Sequence, residues 1–186
     1  MDLVQSEAPE SWMARRVARL HLLDGRALGW VARRRPPWAV RAMRMVTRTG
    51  DPPLVVGALA GGILLRPGRA SVLVAAATSL AFGLFSAAKR LFGRARPTAA
   101  LLAAPDEFSL PSGHATIAWA IAVTVSAVAP RAAPLVCTWA AAVSASRVVL
   151  GVHYPFDVVA GAVLGTATAA GCIVAADALR PADELA

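Results

Sequence analysis

Long apolar runs separated by short polar turns constrain this chain more than any other feature of its sequence. Residues 70–92, 112–129, 132–152 and 155–179 are built mostly from alanine, valine, leucine and glycine. Each approaches the roughly 20 residues that an α-helix needs to cross about 30 Å of hydrocarbon. Hydrophobic residues make up 57% of the 186, above the roughly 45–50% of an ordinary soluble domain. Backbone polar groups in lipid must be satisfied within each segment. An all-α, integral membrane helical bundle is therefore expected. A fifth run, residues 53–65, is apolar but short; extension back toward Met45, tilting or local thinning of the bilayer would complete about five transmembrane helices.

The chain reads as one domain with three parts. Residues 1–52 form an interfacial arm, residues 53–179 a transmembrane core, and residues 180–186 a short tail. Met1 to Trp12 carry Asp2, Glu7 and Glu10 and no apolar run, so a cleavable secretory leader is not expected. Residues 12–35 hold too many arginines to span, but suit helices lying on the membrane surface, with Trp12, Trp30 and Trp38 as anchors. Pro36 and Pro37 interrupt the arm, and Gly50-Asp51-Pro52-Pro53 turns it into the first run. The formal net charge of +8 comes almost wholly from arginines set between apolar runs, where lipid headgroups and topology account for them. Nucleic acid is not expected as a partner.

Small residues four apart, Gly57 with Gly61 and Gly161 with Gly165, predict close helix packing. Cys137 and Cys172 fall within apolar runs with no further ligand at metal-binding spacing, and read as packing residues.

Three polar groups interrupt the hydrocarbon. Lys89 lies at the far end of the run 70–92, and Arg96-Pro97 follow it. Pro111-Ser112-Gly113-His114 opens the next one. Ser146-Arg147, His153 and Asp157 lie across the junction of the last two. Polar groups in hydrocarbon are expensive, so function is the first hypothesis for them. With five spans, all three groups reach the same membrane face. Lys89 and Arg96 taken alone could snorkel, His114 could bond its own helix end, and His153 with Asp157 could be a structural pair. Those bland readings together require all three groups to meet by accident.

Chemistry follows from the residue types. Ser112 is a candidate N-cap, and Gly113 permits close approach at a helix start, where amide hydrogens and the helix dipole bind anions. Lys89, Arg96 and Arg147 add three cations, and an arginine fork grips two phosphate oxygens at once. His153 and Asp157 are four apart around Pro155, so the carboxylate could fix one imidazole nitrogen and leave the other free to attack phosphorus. His114, on another helix, could protonate the leaving oxygen. The few carboxylates nearby, Asp157, Asp106 and Glu107, make a metal site unattractive; neither a metal nor another cofactor is expected.

Lys89 and Arg96-Pro97 six residues on, Pro111-Ser112-Gly113-His114, and Arg147 with His153 and Asp157 resemble the three-part motif of the type 2 phosphatidic acid phosphatase superfamily. The resemblance covers about 70 residues, with every motif position filled. It implies His153 as a nucleophile forming a phosphohistidine, Asp157 as its orienting partner and His114 as general acid. Lys89, Arg96, Ser112, Gly113 and Arg147 would form the phosphate cradle. It also implies metal-independent hydrolysis of a lipid phosphate or pyrophosphate, releasing inorganic phosphate. Phosphatidic acid, phosphatidylglycerophosphate and polyprenyl phosphates or pyrophosphates all remain open as substrates. The basic arm before the turn Thr47 to Asp51 is similar to smaller bacterial members, which implies a bacterial inner membrane.

The alternative is a non-enzymatic membrane protein that binds or transports phosphorylated lipid; an oriented nucleophile argues against it. Haloperoxidase chemistry, also found in the superfamily, fits a larger soluble protein. Ten arginines of the arm lie on the site's side against Arg66, Arg69, Arg131 and Arg180 opposite, which favours a cytoplasmic active site. Partners are the bilayer and the lipid substrate, and the sequence leaves a homo-oligomer open.

Overall fold

The computed structural model describes residues 12–98, 100–103 and 106–179, with side chains from residue 19 onward. Residues 1–11 of the expected arm and the tail 180–186 lie outside the described residues. Among the described residues the chain forms seven α-helices. These are α1 (Trp12–Arg34), α2 (Pro37–Arg48), α3 (Pro52–Leu65), α4 (Arg69–Phe92), α5 (Gly113–Val128), α6 (Ala133–Val149) and α7 (Pro155–Ala178). A 3-10 turn, Pro130–Ala132, precedes α6. The fold is an integral membrane helical bundle.

Proline and glycine set the boundaries. Proline opens α2, α3 and α7 within the first two positions, where its missing N–H has no intrahelical role. Gly93 ends α4 in the left-handed conformation (φ 55°), with its N–H bonded to the Lys89 carbonyl. Gly151 (φ 71°) turns the chain out of α6. Both turns need a residue without Cβ, and both sit beside the polar groups singled out above.

The hub of the bundle is α5, packed on α4, α6 and α7. Ala115, Ala118, Ala120 and Ala122 on it are completely buried. Small side chains let the helices approach closely, which drives association in lipid. Gly161 and Gly165 of α7 are the points of closest approach: a Cβ on Gly161 would stand 2.5 Å from the Ser112 carbonyl, and one on Gly165 would overlap the Thr116 carbonyl. Gly57 and Gly61 differ from expectation, because a Cβ at either meets nothing within 4 Å. The reason is that α3 packs chiefly on α4 and turns these glycines away from the bundle.

Three segments are long and apolar enough to cross a membrane: α4 (24 residues), Pro130–Val149 (20 residues) and α7 (24 residues). With 14 and 16 residues, α3 and α5 are shorter. At 1.5 Å per residue, α5 is about 24 Å long. A helix enclosed by three others need not reach both headgroup layers, and its N-terminus opens onto a cavity instead. The basic arm packs alongside: α2 lies on α6, and α1 touches α6 and α7. Trp30 and Trp38 are exposed.

Candidate active site

A cavity of about 1070 Å³ opens among α2, α3, α4, α5 and the turn after α6. Lys89, Arg96, Gly113, His114, Arg147 and His153 line its polar end. Val55, Leu59, Phe82, Phe85 and Ile117 line the rest. Six of the eight residues singled out in the sequence therefore meet in one space. The other two, Ser112 and Asp157, are completely buried behind it.

The reversal of chain direction after Gly93 and Gly151 brings the two basic motifs together. Lys89, in the last turn of α4, donates to both Asp106 oxygens (2.7 and 2.9 Å) and to the Phe108 carbonyl (3.1 Å). Arg96 donates from Nη2 to the Asp106 carboxylate (2.9 Å) and from Nε to its carbonyl (2.8 Å). Burial pushes the Asp106 carboxyl up, but hydrogen bonds from Lys89 and Arg96 outweigh it, and its pKa lies below the ordinary value. An ionised Asp106 thus holds both cations at the rim. Arg147 reaches inward from the last turn of α6 and donates to the Thr47 hydroxyl. Its Nε is buried without a partner.

Arg96 Nη1 donates to the Val152 carbonyl (3.0 Å) and lies 3.1 Å from His153 Nε2. A guanidinium only donates, so Nε2 is the acceptor and a neutral ring carries its proton on Nδ1. Nδ1 points toward Asp157 Oδ2 at 3.7 Å. That is longer than the expected hydrogen bond, and Nδ1 has no partner in this state; such contacts commonly tighten when substrate binds. Burial pushes the His153 pKa down to about 4; Asp157 opposes the shift, while Arg96 and Arg147 reinforce it. His153 is therefore neutral at physiological pH, as a nucleophile must be.

Ser112 occupies the N-cap position of α5 but makes no side-chain cap. Its N–H donates to the Asp157 carbonyl (2.9 Å), and its Oγ is buried without a partner. His114 Nε2 lies 3.0 Å from Asp51 Oδ1. Among the described residues no group of three or more histidine, cysteine, aspartate or glutamate side chains could gather on a metal ion.

Five further residues touch this constellation through contacts that the sequence did not reveal. Asp51 pairs with His114, Thr47 accepts from Arg147, and Asp106 holds Lys89 and Arg96. Arg94 donates to Asp157 Oδ1 (2.6 Å) and to Asp24 Oδ2 (2.7 Å). One signal was present: Asp24 is the sole acidic residue in the 23 of α1.

The chain is similar to several known proteins. A family model described as the PAP2 superfamily matches residues 70–181. An undecaprenyl-diphosphatase from Sulfolobus acidocaldarius is 42% identical over 83 residues, covering 41% of this chain and 38% of that protein. A decaprenylphosphoryl-5-phosphoribose phosphatase from Mycobacterium tuberculosis is 37% identical over 118 residues, covering 61% of this chain and 66% of the relative. The chain thus spans less than two thirds of either relative's length. Among solved structures, a PAP2-type phosphatidylglycerolphosphate phosphatase from Bacillus subtilis superposes with a TM-score of 0.77 at 23% identity, covering 88% of this chain and 89% of that one. LpxE from Aquifex aeolicus superposes with a TM-score of 0.74 at 21% identity, covering 82% and 95%. These two likenesses are of fold.

Proposed function

The chain belongs to the PAP2 superfamily, and from that premise we propose that it hydrolyses a lipid phosphate or lipid diphosphate through a phosphohistidine on His153. The carrying observation is the two-ended cavity: cations and two histidines at one end, hydrocarbon at the other. A phosphate headgroup fits the first and a lipid tail the second.

In the first step the lone pair of His153 Nε2 attacks phosphorus while the bond from phosphorus to the leaving oxygen breaks. His114 supplies the proton that this oxygen takes. Arg96 transfers its Nη1 hydrogen bond from Nε2 to a phosphate oxygen, and Lys89, Arg147, the Ser112 hydroxyl and the Gly113 amide side of α5 stabilise the equatorial charge. Asp157 accepts the Nδ1 proton as a hydrogen bond and stabilises the ring as it becomes cationic. Water, deprotonated by His114, then cleaves the phosphorus–nitrogen bond and releases inorganic phosphate. Lys89, Arg96, Ser112, Gly113 and Arg147 thus form the cradle, with His153, His114 and Asp157 carrying the chemistry.

The test is a panel of phosphatidic acid, phosphatidylglycerophosphate, decaprenylphosphoryl-5-phosphoribose and undecaprenyl diphosphate, with purified protein in EDTA. Phosphate release from at least one is expected, with the polyprenyl substrates leading because the sequence relatives carry those names. Binding without release across the panel would instead make the protein a lipid-phosphate carrier. His114→Ala should slow lipid substrates by about 10²- to 10⁴-fold and spare an aryl phosphate whose leaving group needs no proton. Equal loss on both would remove His114 from the acid role.

The arginine-rich arm and the site share one face, which we assign to the cytoplasm. A cysteine at Ala100, in a variant lacking Cys137 and Cys172, should escape an impermeant thiol reagent in intact cells and react after permeabilisation. Labelling in intact cells reverses the orientation.

A further inference from the structure

Asp157 has no exposed surface, yet it must hold its charge and its angle if it is to aim His153. Two groups fix the carboxylate through different oxygens. The Tyr154 N–H donates to Oδ2 (2.9 Å), and Arg94 Nη1 donates to Oδ1 (2.6 Å). Contacts on both oxygens prevent rotation of the carboxylate plane and leave Oδ2 directed at His153 Nδ1.

Arg94 is itself buried, and its second terminal nitrogen is held by Asp24 of α1 at 2.7 Å. Its guanidinium also lies 4.2 Å from the centre of the Tyr154 ring. The other oxygen of Asp24 accepts the Phe156 N–H (2.9 Å), in the first turn of α7. The turn that carries Asp157 is thus tied on two sides to the basic amphipathic helix α1. A buried arginine between two carboxylates is a demanding arrangement, since each ion has lost its hydration and needs its partner. Snorkelling or surface pairing explains neither its depth nor its position one side chain away from the reacting histidine.

We propose that Arg94 and Asp24 are positioning residues of the phosphate-transfer site: Arg94 orients Asp157 toward His153, and Asp24 orients Arg94 while balancing its charge. This rests on the reading of His153 as nucleophile and Asp157 as its partner. It makes α1 a working part of the site.

The charges make opposite demands, which separates positioning from mere support. The ring of His153 faces Asp157, Arg96 and Arg147, Asp157 faces Arg94, and Arg94 faces Asp24. Removing the Arg94 cation strengthens the uncompensated field of Asp157, favours the protonated ring, and moves the acid limb of the rate profile upward in pH. Removing the Asp24 anion frees the Arg94 charge and moves that limb downward.

The experiment uses the full-length chain in detergent with Arg94→Gln, Arg94→Lys, Asp24→Asn and His153→Ala. It measures kcat, KM, the pH profile of kcat/KM, the melting temperature and inhibition by inorganic phosphate. Arg94→Gln should lower kcat by about 10²-fold, as a misplaced reacting group does, with KM and phosphate inhibition within about threefold. Arg94→Lys should recover part of the loss, and Asp24→Asn should lower kcat by about tenfold. The acid limbs should shift in opposite directions in Arg94→Gln and Asp24→Asn. Unchanged kcat in Arg94→Gln overturns the proposal, as do limbs that shift together or losses that follow the melting temperature and phosphate binding. If His153→Ala alone retains full activity, the phosphohistidine reading fails first and takes this one with it.

Discussion

His153→Ala is expected to reduce phosphate release by about 10⁴-fold or more, the scale on which removal of an enzymatic nucleophile acts. The lone pair of Nε2 has no substitute nearby: Arg96 and Arg147 are cationic, and His114 is engaged by Asp51. The cradle should survive the change, because Lys89 and Arg96 keep their bonds to Asp106, and Arg96 its bond to the Val152 carbonyl, when the imidazole is removed. Inorganic phosphate should therefore still bind the variant and compete with substrate. Turnover by His153→Ala within tenfold of the unaltered protein would sink the phosphohistidine mechanism. Loss of turnover together with loss of phosphate binding would instead assign His153 to the cradle.

Gly165→Ala should be the most damaging single-methyl change in the bundle. Its Cβ would fall on the Thr116 carbonyl, backbone of the hub helix that cannot swing aside as a side chain can. Overpacking of this kind typically costs about 1–3 kcal/mol and sometimes more. For a chain of this size that corresponds to a melting temperature lowered by about 2–12 °C. Gly57→Ala is the control, since its new methyl meets nothing within 4 Å and alanine is the better helix former by up to about 1 kcal/mol. Detergent-solubilised protein melted side by side would decide it. Equal destabilisation at the two positions would mean that the α5–α7 contact is not the tight seam of the bundle.

These two glycines mark a limit of pattern reading. Gly57 with Gly61 and Gly161 with Gly165 have the same spacing and the same apolar surroundings, yet only the second pair meets another backbone. Spacing places residues on one face of a helix but does not say which helix faces it. Ser112 shows the same limit at shorter range: its position before α5 was legible, whereas its hydroxyl, buried without a partner, was not. The His153–Asp157 pair was legible from a four-residue interval around a proline. The 3.7 Å between them was not, since Arg94, distant in sequence, helps to hold the carboxylate.

The contacts that Arg94, Asp24, Thr47, Asp51 and Asp106 make were not legible, for a common reason. Each acts on the site through a partner between 10 and 100 residues away. Arginine is so abundant in this chain that Arg94 carried no signal of its own. Asp24 did stand out as the single acid of α1, but nothing along the chain indicated the cation it would meet.

Hydrocarbon length, helix punctuation and the intervals within each motif are local properties, and the sequence by itself determined them. It thereby determined the all-helical membrane bundle and where along the chain the three polar groups fall. The tertiary structure alone decided which carboxylate meets which cation, because ion pairs in a bundle form between helices whose contacts are set by close packing of small side chains. It drew α1 into the site through Asp24, since a buried guanidinium between two carboxylates exists only where three separate segments converge.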